Sequence, residues 1–204
     1  MTGFLAWLLV ASGLAVVVVR RRSVVVGIVT AQALVLAAAA FVDAQSTDDI
    51  VAGGALAVRA VILALLFAGV VARTRERVPV HARVPPLVRG GLAVLLALAL
   101  VWLVPEIGLD SREAERAVLT LIACGVATAG LRRATLLQVL GIVLVENGLA
   151  LAALELQGDQ AAAAIEIGVA VDLMLISLVA IVFHERIFGL FGAGDTAALR
   201  TLRD

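Results

Sequence analysis

A chain of 204 residues that is 63% apolar, with a mean hydropathy of +1.12, is too hydrophobic for a water-soluble domain. About 20 apolar residues cross the hydrocarbon core once, so this length allows several spans and almost no extramembrane domain. The 16 arginines and 16 acids balance to a formal net charge of zero, no lysine is present, and no nucleic-acid partner is expected.

The apolar runs are long and unbroken, whereas a transmembrane barrel would show segments of roughly ten residues with alternating polarity. The expected fold is therefore an all-α integral membrane protein in a single membrane domain, 1–204. In chain order the spans fall at 3–19, 23–42, 51–72, 90–107, 117–131, 134–156 and 162–183. The fifth is short: it either starts earlier, taking in Glu113 to Arg116, or crosses incompletely. Residues 1–116 then hold four helices, 117–186 three, and 187–204 a short cytoplasmic tail.

Arginines follow every second span: Arg20, Arg21 and Arg22 after the first, Arg73, Arg75, Arg77, Arg83 and Arg89 after the third, Arg132 and Arg133 after the fifth, and Arg186, Arg200 and Arg203 after the seventh. The alternate connections, DAQSTDD, PEIGLDSREAE and ELQGDQ, are acidic or poor in arginine. Because cytoplasmic loops collect positive charge, the N-terminus is expected outside and the C-terminus in the cytoplasm of a bacterial cell membrane. Span one has no basic residue before it and runs straight into Arg20, as an uncleaved anchor does. Trp7 and Trp102 fall near outer span ends, where an indole suits the headgroup level.

Chemistry-bearing motifs are sparse. Cys124 is the lone cysteine and reads as a small apolar filler. His81 and His184 lie in an inner loop and at an inner helix end, not facing one another within spans as haem ligands would. GAGDT at 192–196 follows no strand and is too brief for a phosphate loop. The sequence predicts no catalytic centre, cofactor or metal site in this chain.

What stands out is a set of polar residues within the apolar runs: Arg59, Glu146, Asn147 and Asp172, with Gln32 and Gln138 as weaker members. Intramembrane ionisable residues usually face a protein interior or a wet cavity and mark ion paths. By helix rise Glu146 lies about 18 Å from the inner start of its span, Asp172 about 16 Å from the inner end of its own, and Arg59 about 12 Å from the outer end of span three. All three fall near the middle of the membrane, where they could pass a proton laterally through connecting waters. Alternatively, Arg59 pairs permanently with one acid and the set holds helices together, each contact being worth about 0.6–2 kcal/mol. Glu155 and Glu166 flank the last outer loop, as solvated helix ends or as candidate path ends; His184 marks the inner end.

RRATLLQVLGIVLVENGLALAAL followed by VDLMLISLVAIVFHER resembles the last two helices of the small K-type subunit of respiratory complex I and the C subunit of multisubunit sodium/proton antiporters. The shared pattern falls on Arg132, Arg133, Gly141, Asn147, Asp172 and His184. Glu146 lies three residues after the K-type glutamate, whose position is Val143, nearly a full turn further along the helix by about 4.5 Å; Asp172 stands where the pattern has glutamate. Four extra helices in front, with Glu-Asn-Gly at 146–148, are closer to component E of hydrogenase-4 and formate-hydrogenlyase-type complexes.

That resemblance implies a non-catalytic membrane-arm subunit of an oxidoreductase complex. Its partners would be large antiporter-like subunits, and nickel-iron and iron-sulfur centres or quinone would belong to those partners. Glu146 and Asp172 would carry protons or sodium ions, with Asn147 beside them and Arg59 tuning their ionisation. A stand-alone transporter or channel, or a non-transporting assembly subunit with small-residue faces such as Gly125 and Ala129, also fits the sequence. An echo between RRSVVVGIVTAQALVLAAAA and RRATLLQVLGIVLVENGLALAAL, 111 residues apart, suggests a duplication whose first copy lacks a carboxylate.

Overall fold

The computed structural model describes residues 3–42, 44, 46–73, 84–105, 107–109, 111–156 and 162–191. They form seven α-helices and no strand: α1 (Gly3–Val18), α2 (Arg22–Val42), α3 (Thr47–Arg73), α4 (Pro86–Leu103), α5 (Arg112–Leu131), α6 (Thr135–Glu155) and α7 (Ala162–Phe191). Five of them, α2, α3 from Asp49, α4, α5 and α6, are long and apolar enough to cross a membrane, and α1 is a shorter apolar helix. Large apolar side chains cover the outside, among them Phe4, Trp7, Leu65, Leu95, Trp102 and Phe183, consistent with a multi-pass membrane protein. His81, most of the arginine-rich connection between α3 and α4, and the end of the chain from residue 192 lie outside the described residues.

Three helices differ clearly from the apolar runs: α7 continues past 183 to Phe191, so the expected tail from 187 begins as helix, and α4 and α5 are shifted for local reasons. α4 starts at Pro86 rather than near residue 90, because proline suits the first helical position, where its missing N–H costs nothing. It stops at Leu103 because Pro105 disfavours helical backbone at Val104, which is extended. α5 starts at Arg112, taking in the Glu113 to Arg116 region. The Ser111 hydroxyl accepts the Ala114 N–H at 3.0 Å, and Glu113 and Glu115 sit in the first turn, where the helix dipole favours acids. The fifth helix thus has 20 residues, enough for a full crossing of about 30 Å.

The helices pack as a trio and a ring. α1, α4 and α5 pack on one another, while α2, α3, α7 and α6 each pack on the next to close a four-membered ring. The four-helix and three-helix portions of the sequence therefore interleave in space. α5 against α6 is the main seam between trio and ring. There a Cβ on Gly141 would fall 2.6 Å from the Ala129 N and 2.7 Å from the Gly125 O, and one on Gly125 would fall 2.6 Å from the Gly141 O. Backbone meets backbone, a contact that only these glycines permit. Gly125 and Ala129 thus serve an internal contact with α6 rather than a face offered to neighbours.

Polar side chains add three clasps. Gln32 of α2 donates from Nε2 to the Ser12 Oγ at 2.6 Å and to the Leu9 carbonyl at 3.2 Å, fastening α2 to α1. Arg132, which follows α5, donates from one nitrogen to the carbonyls of Val16, Val17 and Val19, capping the end of α1. Arg73, at the end of α3, pairs with Glu185 of α7 at 3.2 Å. The ends of α1, α3 and α5, the start of α4 and the later part of α7 make up the arginine end of the molecule.

Gly141→Ala is expected to destabilise the fold by about 1–3 kcal/mol through overpacking, and Gly141→Val by more. Gly69→Ala, where a Cβ meets nothing within 4 Å, should stay within about 0.5 kcal/mol of the parent. Denaturant titration in detergent micelles compares the three.

Candidate functional site

Arg59 belongs to the stripe Leu56, Arg59, Ala60, Leu63, Phe67 and Val70, the side of α3 turned inward at helical spacing. It is 1% exposed. α3 and α6 each pack on both α2 and α7, so they face one another diagonally across the ring. Arg59 bridges that diagonal, donating from Nη2 to the Asn147 Oδ1 of α6 at 3.2 Å. Asn147 is completely buried.

Glu146 precedes Asn147 on α6 and is half-buried, and its Oε2 is enclosed without a hydrogen bond from the chain. The charges that act on its carboxyl are those of Arg59 and Asp172. The Arg73–Glu185 pair sets a common origin for depth: Arg59 lies fourteen residues before Arg73 and Asp172 thirteen before Glu185, so both stand about 20 Å above the pair. Arg59, Glu146, Asn147 and Asp172 therefore form one mid-height layer.

The two acids differ in surroundings. α7 turns Leu173, Ser177, Ile181, His184 and Ile187 inward, whereas Asp172 is exposed on a side shared with Val171, Leu175, Ile176 and Val179. The layer thus runs from a buried cation, through a half-enclosed acid, to an acid on the outer surface of the chain. A carboxylate facing hydrocarbon at mid-depth costs about 2.5–3.5 kcal/mol on insertion scales.

The other candidates stand apart. His184 is buried on α7, about 18 Å from Asp172 towards the arginine end. Glu155, expected as a solvated helix end, is only 8% exposed and lies nine residues beyond Glu146, about 14 Å in the opposite direction. The Glu166 side chain lies outside the described residues. Gln32 fastens α1 to α2, and Gln138 donates to the Arg132 carbonyl at 2.9 Å, so neither joins the layer. Val143, at the K-type glutamate position, is buried in the apolar core. Among the described residues no group of three metal-ligating side chains occurs.

Sequence reasoning missed the depth of Arg89 and Arg132. Counted as loop arginines, they are 1% and 7% exposed. Burial foremost, then the neighbouring charges of Arg89 and Arg20, pushes the Arg132 guanidinium down to about 10, still protonated at neutral pH. One signal for Arg89 was available: α4 begins at the prolines, which puts Arg89 one turn before Ala93 and two before Ala97, the small residues of its inward stripe.

The chain matches no protein-family model, no curated protein and no solved structure.

A double-mutant cycle with Arg59→Met and Asn147→Ala is expected to give a coupling of about 0.6–1.7 kcal/mol, the range for buried polar contacts between membrane helices. Unfolding of the four proteins in micelles measures it; strict additivity would mean that the contact contributes nothing.

Proposed function

We propose that this chain is a non-catalytic membrane-arm subunit of a hydrogenase-4-like or complex-I-like respiratory assembly, and that it carries protons or sodium ions sideways through its mid-height layer. On this reading all seven helices cross a bacterial cell membrane, with the N-terminus outside and the C-terminus in the cytoplasm. The alternation of arginine-rich connections supports that orientation, as does the meeting of α1, α4 and α5 at the arginine end.

The observation that carries the proposal is the layer itself. Arg59, Glu146 and Asp172 stand at one height, and the last of them opens on the outside of the chain. Glu146 takes up the ion inside the ring and Asp172 hands it across the subunit surface. Arg59, fixed by Asn147, supplies a constant positive charge against which either acid can load and unload. The outward position of Asp172 favours a path shared with a neighbouring antiporter-like subunit over a pore enclosed within one chain. Nickel-iron and iron-sulfur chemistry, or quinone reduction, belongs on this reading to partner subunits.

Glu146→Gln should reduce redox-driven acidification of inverted vesicles by about tenfold or more, with the assembly intact on native gels. Asp172→Asn should do the same, and Asp172→Glu should restore most of the rate. Loss of the assembly in Asp172→Asn, or full ion movement in Glu146→Gln, would point instead to an anchoring role.

A further inference from the structure

At the arginine end Arg20 after α1, Arg89 in the first turn of α4 and Arg132 after α5 come from segments in contact: Arg132 bonds the carbonyl of Val19, the residue before Arg20, and a Cβ on Gly90, the residue after Arg89, would fall 3.2 Å from Val18. Their charges act on one another, those of Arg89 and Arg20 on Arg132 and that of Arg20 on Arg89. Arg132 is held by carbonyls at the end of α1. Arg89 is not so held: it is 1% exposed, and none of its three nitrogens has a hydrogen bond among the described residues. The ends of α1 and α5 place partial negative charge nearby, but Arg89 itself stands at the start of α4, where the helix dipole is positive. A buried guanidinium with five donors and no acceptor is costly to maintain.

We propose that Arg20, Arg89 and Arg132 form a binding site for a phosphate group, the headgroup phosphodiester of an anionic phospholipid. Guanidinium forks match phosphate oxygens in geometry, which a compact ammonium does not. Arg89 lies about 4.5 Å from the start of α4, the level of the headgroups for a helix that crosses a bilayer in either direction. Beside it the surface is strongly apolar: Leu87 is 85% exposed, and Val88, Leu92 and Val18 are also exposed. That combination suits a phosphate with acyl chains attached, and basic recesses between membrane helices bind such headgroups. The Arg89 nitrogens are closed off from solvent, so neighbouring side chains must shift for the headgroup to reach them.

The test uses the full chain in phosphatidylcholine nanodiscs, with and without phosphatidylglycerol, and follows thermal unfolding. Phosphatidylglycerol should raise the midpoint of the parent, Arg89→Gln should abolish the rise, and Arg89→Lys should keep only part of it. Arg186→Gln, which removes an exposed arginine elsewhere on α7, should keep all of it. Inorganic phosphate added to pure phosphatidylcholine discs separates the sources: a rise with phosphate and none with the lipid would assign the site to a free anion and overturn the lipid assignment. If Arg89→Gln does not fold, native mass spectrometry of Arg20→Gln replaces it, with fewer retained phosphatidylglycerol molecules than the parent expected. An equal rise in parent and Arg89→Lys or Arg20→Gln, or no rise with either ligand, would overturn the site.

Discussion

The close approach of α5 and α6 at Gly125 and Gly141 sets the geometry on which the remaining contacts depend. No side chain separates the two backbones there. Lipid tails are as apolar as leucine, so helices within a membrane gain little by hiding hydrocarbon from one another and rely on close packing. Gly148, two turns beyond Gly141, continues the contact, where a Cβ would fall 3.3 Å from the Val118 carbonyl. With this face of α6 committed to α5, Asn147 is left to meet Arg59 across the ring. One helix thereby joins trio to ring and fixes the height of the polar layer.

Much of this was legible in the sequence. Long apolar runs separated by arginine clusters locate most helices to within a few residues, because the length of an apolar segment is set by the hydrocarbon it would cross. The exceptions are α7, which runs on to Phe191, and α4 and α5, where Pro85, Pro86, Pro105 and Ser111 govern the ends more strongly than hydropathy does. Helix rise alone also placed Arg59, Glu146 and Asp172 near one height.

Direction around each helix was less legible. That Arg59 faces inward follows from its apolar stripe, but the outward turn of Asp172 depends on which side of α7 meets α3 and α6. α7 is apolar on nearly all sides, so its pattern offers no preferred face. Likewise Gly125 and Ala129 announce a close contact without naming the helix that fills it. Arg132 looked like an ordinary loop charge because its three carbonyl partners lie more than a hundred residues away.

That last separation bears on the order in which the chain can be assembled during synthesis. The end of α1 receives its cap from a residue 113 to 116 positions later, so the first helix is held at that end only after the fifth has emerged from the ribosome. α2 and α3 are made in the interval, yet their ring cannot close until α6 and α7 follow. The trio is therefore complete before the ring, and the Arg59–Asn147 bond that crosses the ring forms only after α4 and α5 have been made.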